Sequence, residues 1–151
     1  MNKQNFYDLN FDQLKKFLIE KVDVDKSKAK MRAQQMFNAV YKKNIKKFDE
    51  LTTFGLELRK KIQDLISLDK PKIVDIQKSK DGTIKFLLEL KDKRNVETVL
   101  IPDKNQSRYT ICLSVSVGCY LSCEFCATAQ ISKKLVRNLS PSEIISQIIL
   151  C

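Results

Sequence analysis

The sequence predicts an α+β chain in three parts. These are a small helical domain at residues 1–69, an antiparallel β hairpin and linker at 70–104, and the first βα unit of an α/β barrel, truncated, at 105–151. Three observations predict it. Apolar residues recur at helical spacing as far as Leu68, and the period switches to alternation after Pro71. A strand-like run near Tyr109 then leads through a loop to a capped helix at Ser140.

Leu14, Phe17, Leu18 and Lys21 mark a first helix over 12–21, capped by Asn10 or Asp12. A second is expected over 27–43, with Ala29, Ala33, Met36, Phe37 and Val40 as its apolar stripe. Core packing accounts for that stripe without a cofactor. A turn at 48–51 leads to a third helix over 56–68, with Leu58, Ile62, Leu65 and Ile66 inward. Pro71 disfavours helix at Lys70. Next, Ile73, Asp75 and Gln77 alternate with Val74, Ile76 and Lys78. Asp81-Gly82 signals a hairpin before a strand at 84–90, and a third strand at 95–101 follows the charged turn 91–94. The run 109–117 is expected as one strand, the first of the barrel, delivering the chain to a loop at the end where βα barrels hold their chemistry. Ser140 as cap, Pro141 at the first helical position and Glu143 three residues past the cap open the last helix.

The 151 residues are enough for one ordinary domain, whereas a complete barrel with an accessory domain needs well over twice as many. The chain stops in the apolar run 144–151 with no helix-stop signal, so it is expected to be a fragment. A hydrophobic content of 43% with 30% charged residues suits a folded domain. No segment approaches the length of a membrane span, and the polar start is not a secretory signal. Five cysteines, three of them clustered, fit a reducing cytoplasm. The net charge is +10, and Lys28, Lys30, Arg32, Lys42, Lys43, Lys46 and Lys47 occur without an intervening Asp or Glu. Such a patch attracts polyanions, structured RNA among them. A solvated lysine-rich face is the plain alternative.

Cys119, Cys123 and Cys126, spaced CxxxCxxC, offer three thiolates on one short loop. A structural zinc needs four ligands, and with no histidine in the chain the fourth would have to be Cys112 or Cys151. An iron–sulfur cube that only carries electrons takes four protein ligands as well. Three ligands leave one iron open to a small molecule. Inert buried cysteines rarely come in this cadence. By itself, Cys112 reads as a small apolar residue on a strand, and Glu97 as an exposed residue balancing Lys93 or Arg94.

The cysteine spacing resembles the signature of the radical SAM enzymes. They hold a [4Fe–4S] cluster on three cysteines and bind S-adenosyl-L-methionine (SAM) at the open iron, cleaving it to a 5′-deoxyadenosyl radical. The stretch from Cys112 through Cys126-Ala-Thr, then Arg137-Asn138-Leu139 and Ser142-Glu143-Ile144-Ile145, is similar to the RlmN/Cfr-type adenine methyltransferases. So are Lys30-Met31-Arg32-Ala33-Gln34-Gln35-Met36-Phe37 and Val96-Glu97-Thr98-Val99-Leu100-Ile101-Pro102. One departure is visible: residues 129–136 are longer than the family's glycine-and-aromatic turn and lack glycine.

The resemblance implies an enzyme that methylates C2 of an adenine in ribosomal RNA, and in transfer RNA too. Cys119, Cys123 and Cys126 would ligate the cluster, and residues 1–69 would be an RNA-binding accessory domain. One SAM would methylate a cysteine late in the family's sequence. A second would supply the radical that activates that methyl for addition to the base. Cys112 would then attack the tethered sulfur, releasing methylated RNA and leaving a transient disulfide, since the thiolate is the attacking species. Glu97 would take the proton from the adenine carbon, a task for which a carboxylate must be buried. An external electron donor, a monomeric state and a cytoplasmic location complete the expectation. Its alternatives are a Cfr-type C8 methyltransferase, a catalytically dead RNA-binding fragment and a zinc-stabilised nucleic-acid binder.

Overall fold

Asn10 decides where the first helix begins. Its side chain accepts the Gln13 amide at 2.9 Å while Gln13 Oε1 accepts the Asn10 amide at 2.9 Å, and this capping box opens α1, Phe11–Glu20. Asp12, the other candidate cap, lies inside the first turn. Replacing Asn10 by alanine is expected to cost about 1 kcal/mol. Circular dichroism should register this as a melting temperature lower by roughly 4–8 °C for a unit of this size.

The computed structural model describes residues 3–103, 105, 107–121, 123–125 and 135–151. The chain divides into two units, Met1–Asp69 and Lys70–Cys151. The first unit is helical. Helix α2, Lys26–Phe37, starts from Asp25, whose carboxylate accepts the Ser27 amide at 2.7 Å. The helix expected to continue to residue 43 widens instead into a π-helical turn, Asn38–Lys42. There the Lys43 amide reaches back to Asn38 O at 3.1 Å, and Asn44, at φ 49°, ends the run. The wider turn accommodates an aromatic group: Phe37 and Tyr41 both pack against Phe6, with ring centroids 5.4 and 5.8 Å away.

Helix α3, Leu56–Leu65, ends three residues before the sequence suggests. Ile66 leaves the helix to pair with the amino-terminal segment. Strand β2, Ile66–Ser67, runs parallel to β1, Gln4–Asn5, and Asn5 Nδ2 donates to Asp69 O at 2.9 Å. The buried core of this unit is Phe6, Leu14, Leu18, Ala29, Ala33, Met36, Ile62 and Ile66. Lys28, Lys30, Lys42, Lys43, Lys46 and Lys47 are exposed. Arg32 differs from them, because its guanidinium donates to Thr53 O at 3.0 Å and lies over the Phe54 ring.

The second unit is an antiparallel meander with a helix on one face. Strands β3 (Lys72–Lys78), β4 (Ile84–Glu89), β5 (Asn95–Pro102) and β6 (Tyr109–Cys112) pair in that order. Gly82, at φ 89°, makes the β3–β4 turn, and the Asp81 carboxylate accepts both the amide and the hydroxyl of Thr83. In β3 the simple alternation fails. A bulge between Ile73 and Asp75 brings Ile73 and Ile76 to one face and Asp75 and Gln77 to the other. The bulge has a cause. Without the extra residue Ile73 would share a face with two polar neighbours, whereas here it packs against Phe86, Leu88, Leu90, Val96 and Leu139.

The run 109–117, expected as one strand, is two. After Cys112 the chain leaves the meander, and Ser116–Val117 forms β7, paired antiparallel with β8, Arg137–Asn138. Helix α4, Pro141–Leu150, opens on the expected box. Ser140 Oγ accepts the Glu143 amide at 3.3 Å, and Glu143 Oε2 accepts the Ser140 amide at 2.9 Å. Ile144 and Leu150 pack on the apolar core of the sheet, together with Val117 and Leu139. No helix among the described residues is long and apolar enough to cross a membrane.

Candidate active site and cluster loop

Gly118 takes φ 77°, in the left-handed region that favours glycine, and turns the chain out of β7 straight into Cys119. The loop is pinched at its root. Val117 and Arg137 are register partners, the Val136 amide donates to Val117 O at 2.9 Å, and the Leu139 amide donates to Val115 O at 2.9 Å. Cys119 and Cys123 are both half-buried free thiols, and the Leu121 amide donates to Cys119 Sγ at 3.3 Å. Cys126 and residues 127–134 lie outside the described residues. Tyr120, Leu121 and Phe125 stand exposed around the thiols, Phe125 at 92%.

The donor chemistry fits an iron–sulfur group. Soft thiolates on one loop are its usual ligands, and amide-to-sulfur bonds of the Leu121–Cys119 kind are a lever by which proteins tune such clusters. Cys112 and Cys151, the only other sulfur ligands a zinc could recruit, belong to β6 and to the end of α4 rather than to the loop.

Cys112 and Glu97 meet through strand register. Cys112 is the direct partner of Val99, and Glu97 lies two residues along β5 from Val99, so the two side chains share one face of the sheet. Such a diagonal pair sits about 7–8 Å apart. Cys112 is an exposed free thiol. Glu97 is exposed too, and Lys85 Nζ lies 3.0 Å from its Oε1. The expected alternative partners, Lys93 and Arg94, are engaged with Glu89 and Asp92 instead. The described residues do not bury Glu97 in the way a base for a carbon-bound proton requires.

Behind the loop, Arg137 joins three segments. Its guanidinium grips Glu143 with two bonds of 2.8 Å and donates from Nε to Asp92 Oδ2 at 2.9 Å, tying β8 to the head of α4 and to the β4–β5 turn. The Arg137 hydrogen bond is the main cause that holds the Asp92 carboxyl down at about 2, with Arg94 adding to it. The same guanidinium holds Glu143 below its usual range, and its own pKa is raised in return. Arg137 appears in the sequence only within a family-like block, and nothing local foretells its two acidic partners. Nothing in the sequence marks Gln147: it is a polar residue inside an apolar helical run, yet it is wholly buried and bonded on all sides.

Residues 4–68 match the model of the ribosomal RNA large subunit methyltransferase N-terminal domain. The dual-specificity RNA methyltransferase RlmN of Campylobacter fetus subsp. fetus is 38% identical over 157 residues, which span 97% of this chain and 41% of that protein. Its namesake in Oleidesulfovibrio alaskensis is 40% identical over 141 residues, spanning 93% of this chain and 37% of the relative. The chain belongs to the RlmN family. A solved radical SAM methyltransferase from Sphaerobacter thermophilus, 31% identical, superposes with a TM-score of 0.81 over 97% of this chain and 41% of its own. The α+β architecture is thus one found within radical SAM methyltransferases. This RlmN-family chain spans about two-fifths of the length of the relatives it matches.

Proposed function

We propose that this chain is part of a radical SAM methyltransferase acting on C2 of an adenine, in ribosomal RNA and also in transfer RNA, in the cytoplasm. Cys119, Cys123 and Cys126 hold a [4Fe–4S] cluster, Cys112 is the thiol that releases the product, and Glu97 takes the proton from the base. The observation that carries this reading is the shared sheet face of Cys112 and Glu97, on a strand whose continuation enters the cysteine loop after five more residues, 113–117. When bound, the cluster and SAM supply one-electron chemistry able to take hydrogen from an unactivated methyl group, drawing on an external electron donor.

The residues of this chain do the rest. Cys119 accepts the Leu121 amide, which fixes its sulfur at the mouth of the loop. Exposed Cys112 is free to reach a substrate-bound sulfur, and RNA docked over that face would bury Glu97 and displace Lys85 from it. The exposed lysines of Met1–Asp69 supply phosphate contacts, which should make binding of a structured RNA fall steeply with salt. The matched relatives are more than twice as long. Turnover is therefore expected of a protein carrying the remaining part as well, acting as a monomer, while the 151 residues alone should bind iron and RNA without methylating.

The target is tested by mass spectrometry of RNA nucleosides from cells with and without the full gene. Loss of 2-methyladenosine is expected, and loss of 8-methyladenosine instead would assign the C8 chemistry. Cys112→Ala tests the release role. It should leave formation of the RNA–protein adduct intact and slow its resolution by at least about a hundredfold, so that the adduct accumulates on denaturing gels. Wild-type turnover without adduct would remove Cys112 from the reaction.

A further inference from the structure

We propose that Gln147 of α4 is a positioning residue that sets the Cys112 thiol against Glu97. It does so by taking the place of the missing next rung of the β5–β6 ladder. The inference rests on the release role given to Cys112 above.

Pairing between β5 and β6 stops at the Val99–Cys112 pair, so the backbone beyond Cys112 must find other hydrogen-bond partners. Gln147 supplies them. Its Oε1 accepts the Ser114 amide at 2.9 Å and its Nε2 donates to Ser114 O at 2.9 Å, so one side-chain amide grips both backbone groups of one residue as a neighbouring strand would. The same Oε1 accepts the Thr98 hydroxyl at 2.7 Å, and Nε2 also donates to Glu143 O at 3.2 Å. Ser114 completes the link, because its hydroxyl donates to the Glu97 carbonyl at 2.7 Å. One residue, two places beyond Cys112, is therefore bonded both to the backbone of Glu97 and to a buried clamp.

Mere core filling does not account for this arrangement. Gln147 and Thr98 are wholly buried, at 0% exposure, on the face of the sheet opposite Cys112 and Glu97. An apolar pair would fill that space at no desolvation cost. A fully satisfied buried network instead selects one arrangement of the strands it joins. What it selects is the offset between the β5 segment carrying Glu97 and the β6 end carrying Cys112. In the release step the Cys112 thiolate forms an S–S bond as the sulfur–carbon bond to the substrate breaks. The electron pair of that bond passes to the substrate carbon, which takes up a proton. Attack along the S–C axis is sensitive to sub-ångström misplacement of the thiolate, and steps that need such alignment lose on the order of 100-fold per 1 Å error.

The test uses Gln147→Leu, Gln147→Glu and Thr98→Val. In the 151-residue chain, hydrogen exchange of the Ser114 amide should speed at least about tenfold in Gln147→Leu while the Val99 and Leu100 amides stay protected. In the protein carrying the remaining part, SAM cleavage and adduct formation should keep wild-type rates while adduct resolution slows about tenfold or more. Gln147→Glu retains the acceptor for Thr98 and the Ser114 amide, and should recover part of that loss. Thr98→Val is isosteric and leaves the Ser114 grip, so it should slow resolution two- to threefold, and it serves if Gln147→Leu does not fold. Wild-type resolution in the folded Gln147 variants, or equal slowing of every step, overturns the proposal. If Cys112→Ala forms no adduct, the release role itself has failed, and exchange at Ser114 still reports whether the clamp exists.

Discussion

Cys123→Ser, prepared without oxygen and reconstituted with iron and sulfide, is expected to lose its brown chromophore. Iron content should drop from about four atoms per chain to less than about one. A cube held by three thiolates and a small molecule has no spare protein ligand, so loss of one corner exposes a second iron. Cys119→Ser should behave alike, with the added loss of the sulfur that accepts the Leu121 amide. Cys151→Ser, altered at the far end of α4, should keep its full complement. One zinc per chain in place of iron and sulfide would sink the cluster assignment and leave only a zinc-stabilised RNA binder. An intact cube in the Cys123 variant would exclude that thiol from the ligand set.

Arg137→Ala is expected to destabilise the Lys70–Cys151 unit by roughly 1.5–3 kcal/mol, the usual worth of hydrogen bonds to charged groups. Chemical denaturation should follow it. The guanidinium is about a third exposed, and so is the Asp92 side chain, which keeps the loss below that of a fully buried pair. The effect has a signature in acid. Asp92 titrates at about 2 in the folded chain against an ordinary value of 3.8, and Glu143 is also lowered. In that range the unfolded chain binds more protons, so the stabilisation is complete only above about pH 5 and is lost progressively as pH falls to about 2. Arg137→Ala should flatten the stability profile across that window. An unchanged slope there would mean that the Arg137 bridge contributes nothing in solution.

Local signals in the sequence carried the element boundaries that depend on single side chains. Ser140 with Glu143 and Asp81 with Gly82 act within a few residues of themselves, so type and spacing suffice to read them. Three other features depend on distant partners. The α3 end is decided by Gln4 and Asn5, some sixty residues earlier. The β3 bulge follows from competition for one apolar face, which Ile73, Val74 and Ile76 in close succession leave ambiguous. The break after Cys112 is held open by Gln147, 33 residues beyond the Ser114 it grips. The site divides in the same way. Its cysteines announce themselves by spacing, but the common face of Cys112 and Glu97 exists only once β5 and β6 are in register, and Gln147 is hidden by its apolar neighbours.

The pinch between Val117 and Arg137 has a wider consequence. Both stems of the cysteine-bearing excursion are fastened, by the Val117–Arg137 pairing, by the Val136 amide on Val117 O and by the Arg137 fork on Glu143. The entropy of closing such a span grows only with the logarithm of its length, roughly 0.6 kcal/mol per doubling. A change in the number of residues between these two stems would therefore cost the Lys70–Cys151 framework little.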